Sequence, residues 1–185
     1  ARRAGLMLPP FETLDTLTRL GETITRLNPK TVICLGDSFD DLTAANDLAP
    51  DAKSHIIQLQ AGRKWLWIEG NHDAGPVDIG GTHVAQTTIG NLTLRHIATD
   101  EESEISGHYH PKHAVAGTAR PCFLYDTRRL IMPAFGTYTG GLRSDAAPLK
   151  ALFPHGAIAV LTGKSAIATP LGKNQRPQDS RGMSY

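Results

Sequence analysis

From Phe11 the apolar positions Phe11, Leu14, Leu17, Leu20, Ile24 and Leu27 recur at intervals of three and four. That spacing lines one face of an amphipathic helix, which Asn28-Pro29 ends. Thr31-Val32-Ile33-Cys34-Leu35 is then an unbroken apolar, β-rich run, as expected of a strand covered on both faces. It closes on Gly36-Asp37-Ser38-Phe39-Asp40-Asp41. A second helix is predicted over about 51–60, followed by the short buried strand Trp65-Leu66-Trp67-Ile68 and the sharp turn Gly70-Asn71-His72-Asp73. Helix–strand–helix–strand is the alternation that builds a parallel layer with helical cover.

The second half changes period. Thr82–Ile89 and Leu92–Ile97 flank Gly90-Asn91 and read as a hairpin. Glu104-Ile105-Ser106 is a short strand ending at Gly107-His108-Tyr109-His110. Further hairpins are predicted for Cys122–Tyr125 with Leu130–Met132, and for Ala157–Leu161 with Lys164–Ala168; Pro148–Phe153 is a short helix. The pattern predicts an α/β layered domain over residues 1–172, with two packed mixed sheets flanked by helices. Residues 173–185 are polar and aperiodic and read as a disordered tail.

Composition narrows the function only slightly. The chain has 185 residues and a formal net charge of +1, so no strong overall field gathers nucleic acid or membrane from a distance. A nucleic-acid substrate would have to be held by a local patch. No apolar run reaches the ~18 residues of a membrane span, and no signal-peptide pattern is present. Cys34 and Cys122 make no disulfide framework and suit reduced core thiols in a cytoplasmic protein. Eight histidines are many for this length, and their placement matters more than their number.

The chemistry-bearing residues gather at predicted strand ends: Asp37, Asn71 with His72, His96, and His108 with His110. In open α/β sheets ligands bind beyond the carboxyl ends of the strands. A fold has little structural reason to desolvate carboxylates and imidazoles together, and a divalent metal supplies one. His108 and His110 would share a face on an extended strand; on a turn they would reach two adjacent metals. Other polar residues have plainer readings. Asp40 and Asp41 suit a solvated loop or helix cap, or else support the ligands from behind; His55 suits a helix surface, and His83 and His155 structural positions. His113 is either a solvated loop residue or a phosphate contact. Trp65 and Trp67 are core residues, and Thr137-Tyr138-Thr139-Gly140-Gly141 is a tight turn or a phosphate cradle. Arg120, Arg128, Arg129 and Arg143 are candidates for a DNA-binding face.

Gly36-Asp37-(x)-(x)-Asp40, Gly70-Asn71-His72-Asp73, His96 and Gly107-His108-Tyr109-His110 stand in the order of the calcineurin-like metallophosphoesterases, which this chain resembles over about residues 6–170. Leu8-Pro9-Pro10, Gly36-Asp37-Ser38-Phe39, His110-Pro111 and the Pro133–Leu142 stretch resemble, within that superfamily, the bacterial DNA-ligase-associated DNA-damage-response phosphoesterases. The resemblance implies two divalent ions, Mn²⁺ before Fe or Zn. Asp37 would bridge them, Asn71, His96 and His108 would complete one shell, and His110 would serve the other. His72 would stabilise the transition state or protonate the leaving oxygen, oriented by Asp73. The implied activity is hydrolysis of phosphodiesters, as an endonuclease on DNA, with DNA ligase, helicase or exonuclease associates. A small-molecule phosphodiesterase or phosphatase is the alternative enzyme, and a non-catalytic phosphoesterase-like scaffold the alternative of another class.

One departure stands out. The family's Asp-x-His motif, carried on a first strand, does not precede Leu8. The expectation is that an upstream segment bears it, that the first strand of the sheet is lacking here, and that this chain by itself holds one metal well and is a doubtful hydrolase.

Overall fold

The computed structural model describes residues 12–39, 48–72, 78–136 and 139–172. Helix α1 (Glu12–Leu27) turns Leu17 and Ile24 inward, as its periodicity requires, and packs on α2 (Pro50–Gln60) through Ala52 and Ile56. Proline at the first turn suits the start of α2, where its missing N–H has no helical partner to lose. Together the helices cover a parallel sheet of order β1 (Thr31–Cys34), β2 (Lys64–Ile68) and β3 (Thr82–Val84). On β2 the side chains alternate. Trp65 and Trp67 pack under the helices, with Trp67 donating its Nε1–H to Gly80 O at 2.8 Å, and Leu66 and Ile68 are buried on the opposite face.

The second sheet is mixed. Its order is β11 (Ile167–Leu171), β10 (Ala157–Leu161), β8 (Thr118–Tyr125), β9 (Arg129–Ile131), β6 (Glu104–Ser106), β5 (Leu92–Arg95) and β4 (Gln86–Ile89), with β7 (Lys112–Val115) paired to β8. The strands β5, β6 and β9 run parallel, and the other pairings are antiparallel. Short helix α3 (Ala147–Leu152) caps this sheet through Leu149, which shares a core with Cys122, Leu124, Ile131, Phe153 and Leu161. Neither Cys34 nor Cys122 is in a disulfide; burial pushes the Cys122 thiol up to about 11, so it stays protonated and inert.

Sequence and structure part company in several places. Among the described residues the first sheet is parallel and not mixed. The run expected to be a doubly covered strand, β1, is only half-buried, because among the described residues β2 is its sole strand partner. The stretch Thr82–Ile89 is split at Ala85 between the two sheets, so only β4 and β5 form the predicted hairpin. His55 is half-buried, its ring 3.7 Å from where a side chain would begin at Gly21, where α1 and α2 press together.

A buried ion pair fixes the link between β5 and β6. Both carboxylate oxygens of Glu104 accept the Thr99 N–H at 3.1 Å, and Arg129 Nη1 lies 3.4 Å from Oε1. The loop that leaves His96 is thereby tied to the start of the strand that leads to His108. No helix among the described residues is long and apolar enough to cross a membrane.

Ile68, 1% exposed, anchors β2 just before the Gly70 turn. Replacing it with alanine should cost about 2–5 kcal/mol through lost burial and an unfilled cavity. The measurement is the urea-unfolding midpoint, and a midpoint equal to that of the parent would remove Ile68 from the core.

Candidate metal centre

Three glycines around the site, Gly36, Gly107 and Gly141, are there for room. After β1 the chain turns at Gly36 with φ +86; a Cβ there would lie 2.5 Å from His96 Nδ1 and 2.9 Å from Gly70 Cα. A Cβ at Gly107 would meet Leu35 Cβ at 3.1 Å, and one at Gly141 would lie 2.0 Å from His110 O. The two sheets therefore meet backbone to backbone at this edge. Two residues with side chains accept the left-handed region here, Asp37 at φ +48 and His110 at φ +43. That conformation costs roughly 1–2 kcal/mol for a residue with a Cβ, strain of the kind that collects at functional sites.

The side chains converge as follows. His96 is 5% exposed, and its Nδ1 donates to Leu35 O at 2.7 Å. A carbonyl only accepts, so the Nδ1 proton is fixed and Nε2 is the nitrogen turned toward the site. That nitrogen lies 3.2 Å from Asp37 Oδ2 and 3.0 Å from His108 Nδ1. The other Asp37 oxygen accepts the His72 backbone N–H at 2.9 Å. One ligand atom from each of Asp37, His96 and His108 lies within 4.8 Å of the others. A carboxylate and two imidazole nitrogens this close, with one ring held by its far nitrogen, are a donor set compatible with a shared cation.

His108 and His110 lie on a turn, closed by His110 N–H donating to Gly107 O at 3.1 Å, and not on an extended strand. The amides of Gly107 and His108 both donate to His96 O, at 3.1 and 3.0 Å, which fixes the turn against the end of β5. Burial lowers the pKa of His108, and the neighbouring His96 lowers it further. Burial likewise lowers His110, against the opposing pull of the Asp37 charge. Both rings are thus biased toward the neutral form that a metal requires. Asn71 and His72 sit exposed just past β2 at the same sheet edge, and Asp40, Asp41 and Asp73 fall outside the described residues. A cleft of about 520 Å³ opens beside the turn, bounded by His108, Tyr109, His110, Gly141 and Pro148.

No known family profile matches the chain, and no curated protein matches it. Among solved structures it is similar to the nuclease MPE of Pseudomonas putida. The two share 25% sequence identity over 90% of this chain and 82% of that one, with a TM-score of 0.69. The likeness to the nuclease MPE is to a layered, metallophosphoesterase-like fold of the nuclease and phosphoesterase type, and the triad at its sheet edge is compatible with a divalent ion.

Sequence reasoning named Asp37, His96 and His108 and missed what supports them. The Leu35 carbonyl that orients His96 carries no residue-type signal. The Gly141 contact on His110 was visible only as a glycine-rich turn. His83 stacks on Trp67 at 6.3 Å, as a structural histidine would, and His113 pairs with Ser144 Oγ at 2.8 Å. Arg129 is buried in the Glu104 pair and is unavailable to DNA, whereas Arg143 is exposed and paired with Asp145.

Gly36→Ala should displace the His96 ring and weaken Mn²⁺ or Zn²⁺ affinity at least tenfold, a loss that calorimetric titration would register. Unchanged affinity would mean that the Gly36–His96 contact does not shape the site. The lowered pKa values of His108 and His110 also set a pH dependence. Below the ordinary histidine value of 6.5 the unfolded chain takes up protons before the folded one does. Metal-free protein should therefore lose stability as pH falls from about 6.5 through the lowered values, and the His108→Gln/His110→Gln variant should show a flatter profile of urea midpoint against pH.

Proposed function

We propose that the protein is a metal-dependent phosphodiesterase acting on nucleic acid, with DNA as the substrate. The observation that carries this is the Asp37–His96–His108 triad, whose ligand atoms lie within 4.8 Å at one sheet edge, in a chain similar to a nuclease. In this reading Asp37, His96, His108 and Asn71 hold one divalent ion, and Asp37 with His110 faces a second position. A bound divalent ion, Mn²⁺ before Fe or Zn, lowers the pKa of water toward neutrality and offsets charge on phosphoryl oxygens.

The chain's own residues do the rest. The Leu35 carbonyl keeps the His96 proton on Nδ1, so that Nε2 is the nitrogen turned toward the ion. The His72 amide holds one Asp37 oxygen and leaves the other facing the imidazoles. The exposed His72 ring lies near enough to bear on His108 electrostatically. It serves as the acid that protonates the departing oxygen, with Asp73 orienting it. General-acid assistance of this kind is worth ~10²–10⁴-fold in rate. The cleft beside His108 and His110 receives the strand, and a role in the DNA damage response, alongside a ligase, helicase or exonuclease, extends the same reading.

The test is hydrolysis of bis-p-nitrophenyl phosphate and of plasmid and oligonucleotide DNA with Mn²⁺, before and after chelation. His72→Ala should lower kcat about 10²-fold or more while metal affinity is kept. Asp37→Asn should lose both metal and activity. Full activity in His72→Ala would sink the acid role, and activity that survives chelation would sink the metal dependence. Turnover of mononucleotide esters with DNA left intact would instead select the small-molecule enzyme, and metal binding without turnover of any substrate the scaffold.

A further inference from the structure

We propose that the Thr139–Gly140 peptide is a phosphate-binding element beside the metal centre, with Lys112 as the positioning residue behind it. A non-bridging phosphate oxygen of the substrate accepts the Gly140 N–H, and the Lys112 ammonium holds and polarises the peptide from its oxygen end. That the anion is a phosphate rests on the phosphodiesterase reading above; the placement of peptide and lysine does not.

Lys112 opens β7, two residues after His110, and is half-buried. Its Nζ donates to Thr139 O at 3.2 Å. Among the described residues that carbonyl is the ammonium's one hydrogen-bond partner, and no carboxylate pairs with it. A partly desolvated cation without a counter-charge favours an anion nearby. Lys112 does not border the cleft, whereas Gly140 does. No peptide bond among the described residues is cis, and a trans peptide points its C=O and N–H in opposite directions. With the ammonium on Thr139 O, the Gly140 N–H is therefore turned away from the lysine. A cation on the oxygen also strengthens the donor at the far end, because hydrogen bonds in a row polarise one another. That amide belongs to an exposed residue and has no hydrogen-bond partner among the described residues.

The packing has no use for glycine at this position. Gly141 must lack a side chain, since a Cβ would lie 2.0 Å from His110 O. At Gly140 φ lies outside the left-handed region, and a Cβ would meet nothing within 4 Å among the described residues. What a side chain there would obstruct is the approach of a ligand to the backbone, one of the uses glycine serves.

The experiment is an amide NMR titration of the metal-free full chain with dimethyl phosphate, a simple phosphodiester anion, and with thymidine trinucleotides that carry or lack a 5′-phosphate. The Gly140 amide should shift downfield and saturate with a Kd on the order of 1 mM, the strength of a few polar contacts. Saturation by the unphosphorylated trinucleotide identifies an internal linkage, and saturation by the 5′-phosphorylated one alone a strand end; both keep the element. Gly140→Ala should keep the parent's urea midpoint, since its methyl enters open space, and weaken binding about tenfold. Lys112→Met should weaken binding about tenfold and move the ligand-free Gly140 amide upfield, and Lys112→Arg should restore both. A Gly140 amide that saturates with none of the three ligands, or Gly140→Ala binding as tightly as the parent, would overturn the phosphate-binding element. Lys112→Met with the parent's affinity and Gly140 resonance would remove the lysine from it. Because binding is read without metal, its failure leaves hydrolysis untouched, and an absence of hydrolysis leaves a positive titration standing.

Discussion

A single hydrogen bond governs how the sheet edge is built: His96 Nδ1–H to the carbonyl of Leu35, 2.7 Å across the junction of the two sheets. It joins the end of β5 to the end of β1 and decides which nitrogen of a buried ring is turned toward the site. Asp37 Oδ2 and His108 Nδ1 then face that nitrogen at 3.2 and 3.0 Å. Burying polar atoms so close together is costly unless something positive is shared among them. The fold offsets part of this with the His72 amide and with the lowered proton affinity of His108, and the arrangement is compatible with a cation taking up the remainder.

The motif glycines belong to the same construction. Gly36, Gly107 and Gly141 are sites where a Cβ would meet His96, Leu35 and His110 respectively. They are spacers that let two backbones touch, and the ligands hang from the residues that follow or abut them. The Glu104–Arg129 pair works from the other end of β6 by holding Thr99, so the loop leaving His96 has little freedom. Positions of ligand atoms are thereby set by strands and not by long loops, which is how a site keeps its geometry before an ion arrives.

Much of this was legible in the residues. The three-and-four spacing of Leu17 and Ile24 gave α1, and the Trp65–Ile68 run gave β2, because burial on a defined face imposes those periods. The candidate ligands stood out because aspartate and histidine directly after an apolar strand have few structural uses. Strand β7 was hidden: Lys112-His113-Ala114-Val115 is short and half polar, and its turn uses Ala116 at φ +51 beside Gly117, where asparagine would have announced it. The split of 82–89 between two sheets was hidden as well, since periodicity reports faces and not partners. Whether His108 and His110 lie on a strand or a turn could not be read from their spacing, and the Gly107 carbonyl decides it.

The central claim is that Asp37, His96 and His108 share one divalent ion. Crystals grown or soaked with Mn²⁺ and measured at the manganese absorption edge test it most directly. The expected result is an anomalous peak in bonding contact with Asp37 Oδ2, His96 Nε2 and His108 Nδ1, with the His96–Leu35 hydrogen bond intact. A well-ordered structure in saturating Mn²⁺ with no peak among those atoms, or with His96 turned so that Nδ1 no longer meets Leu35, would contradict it.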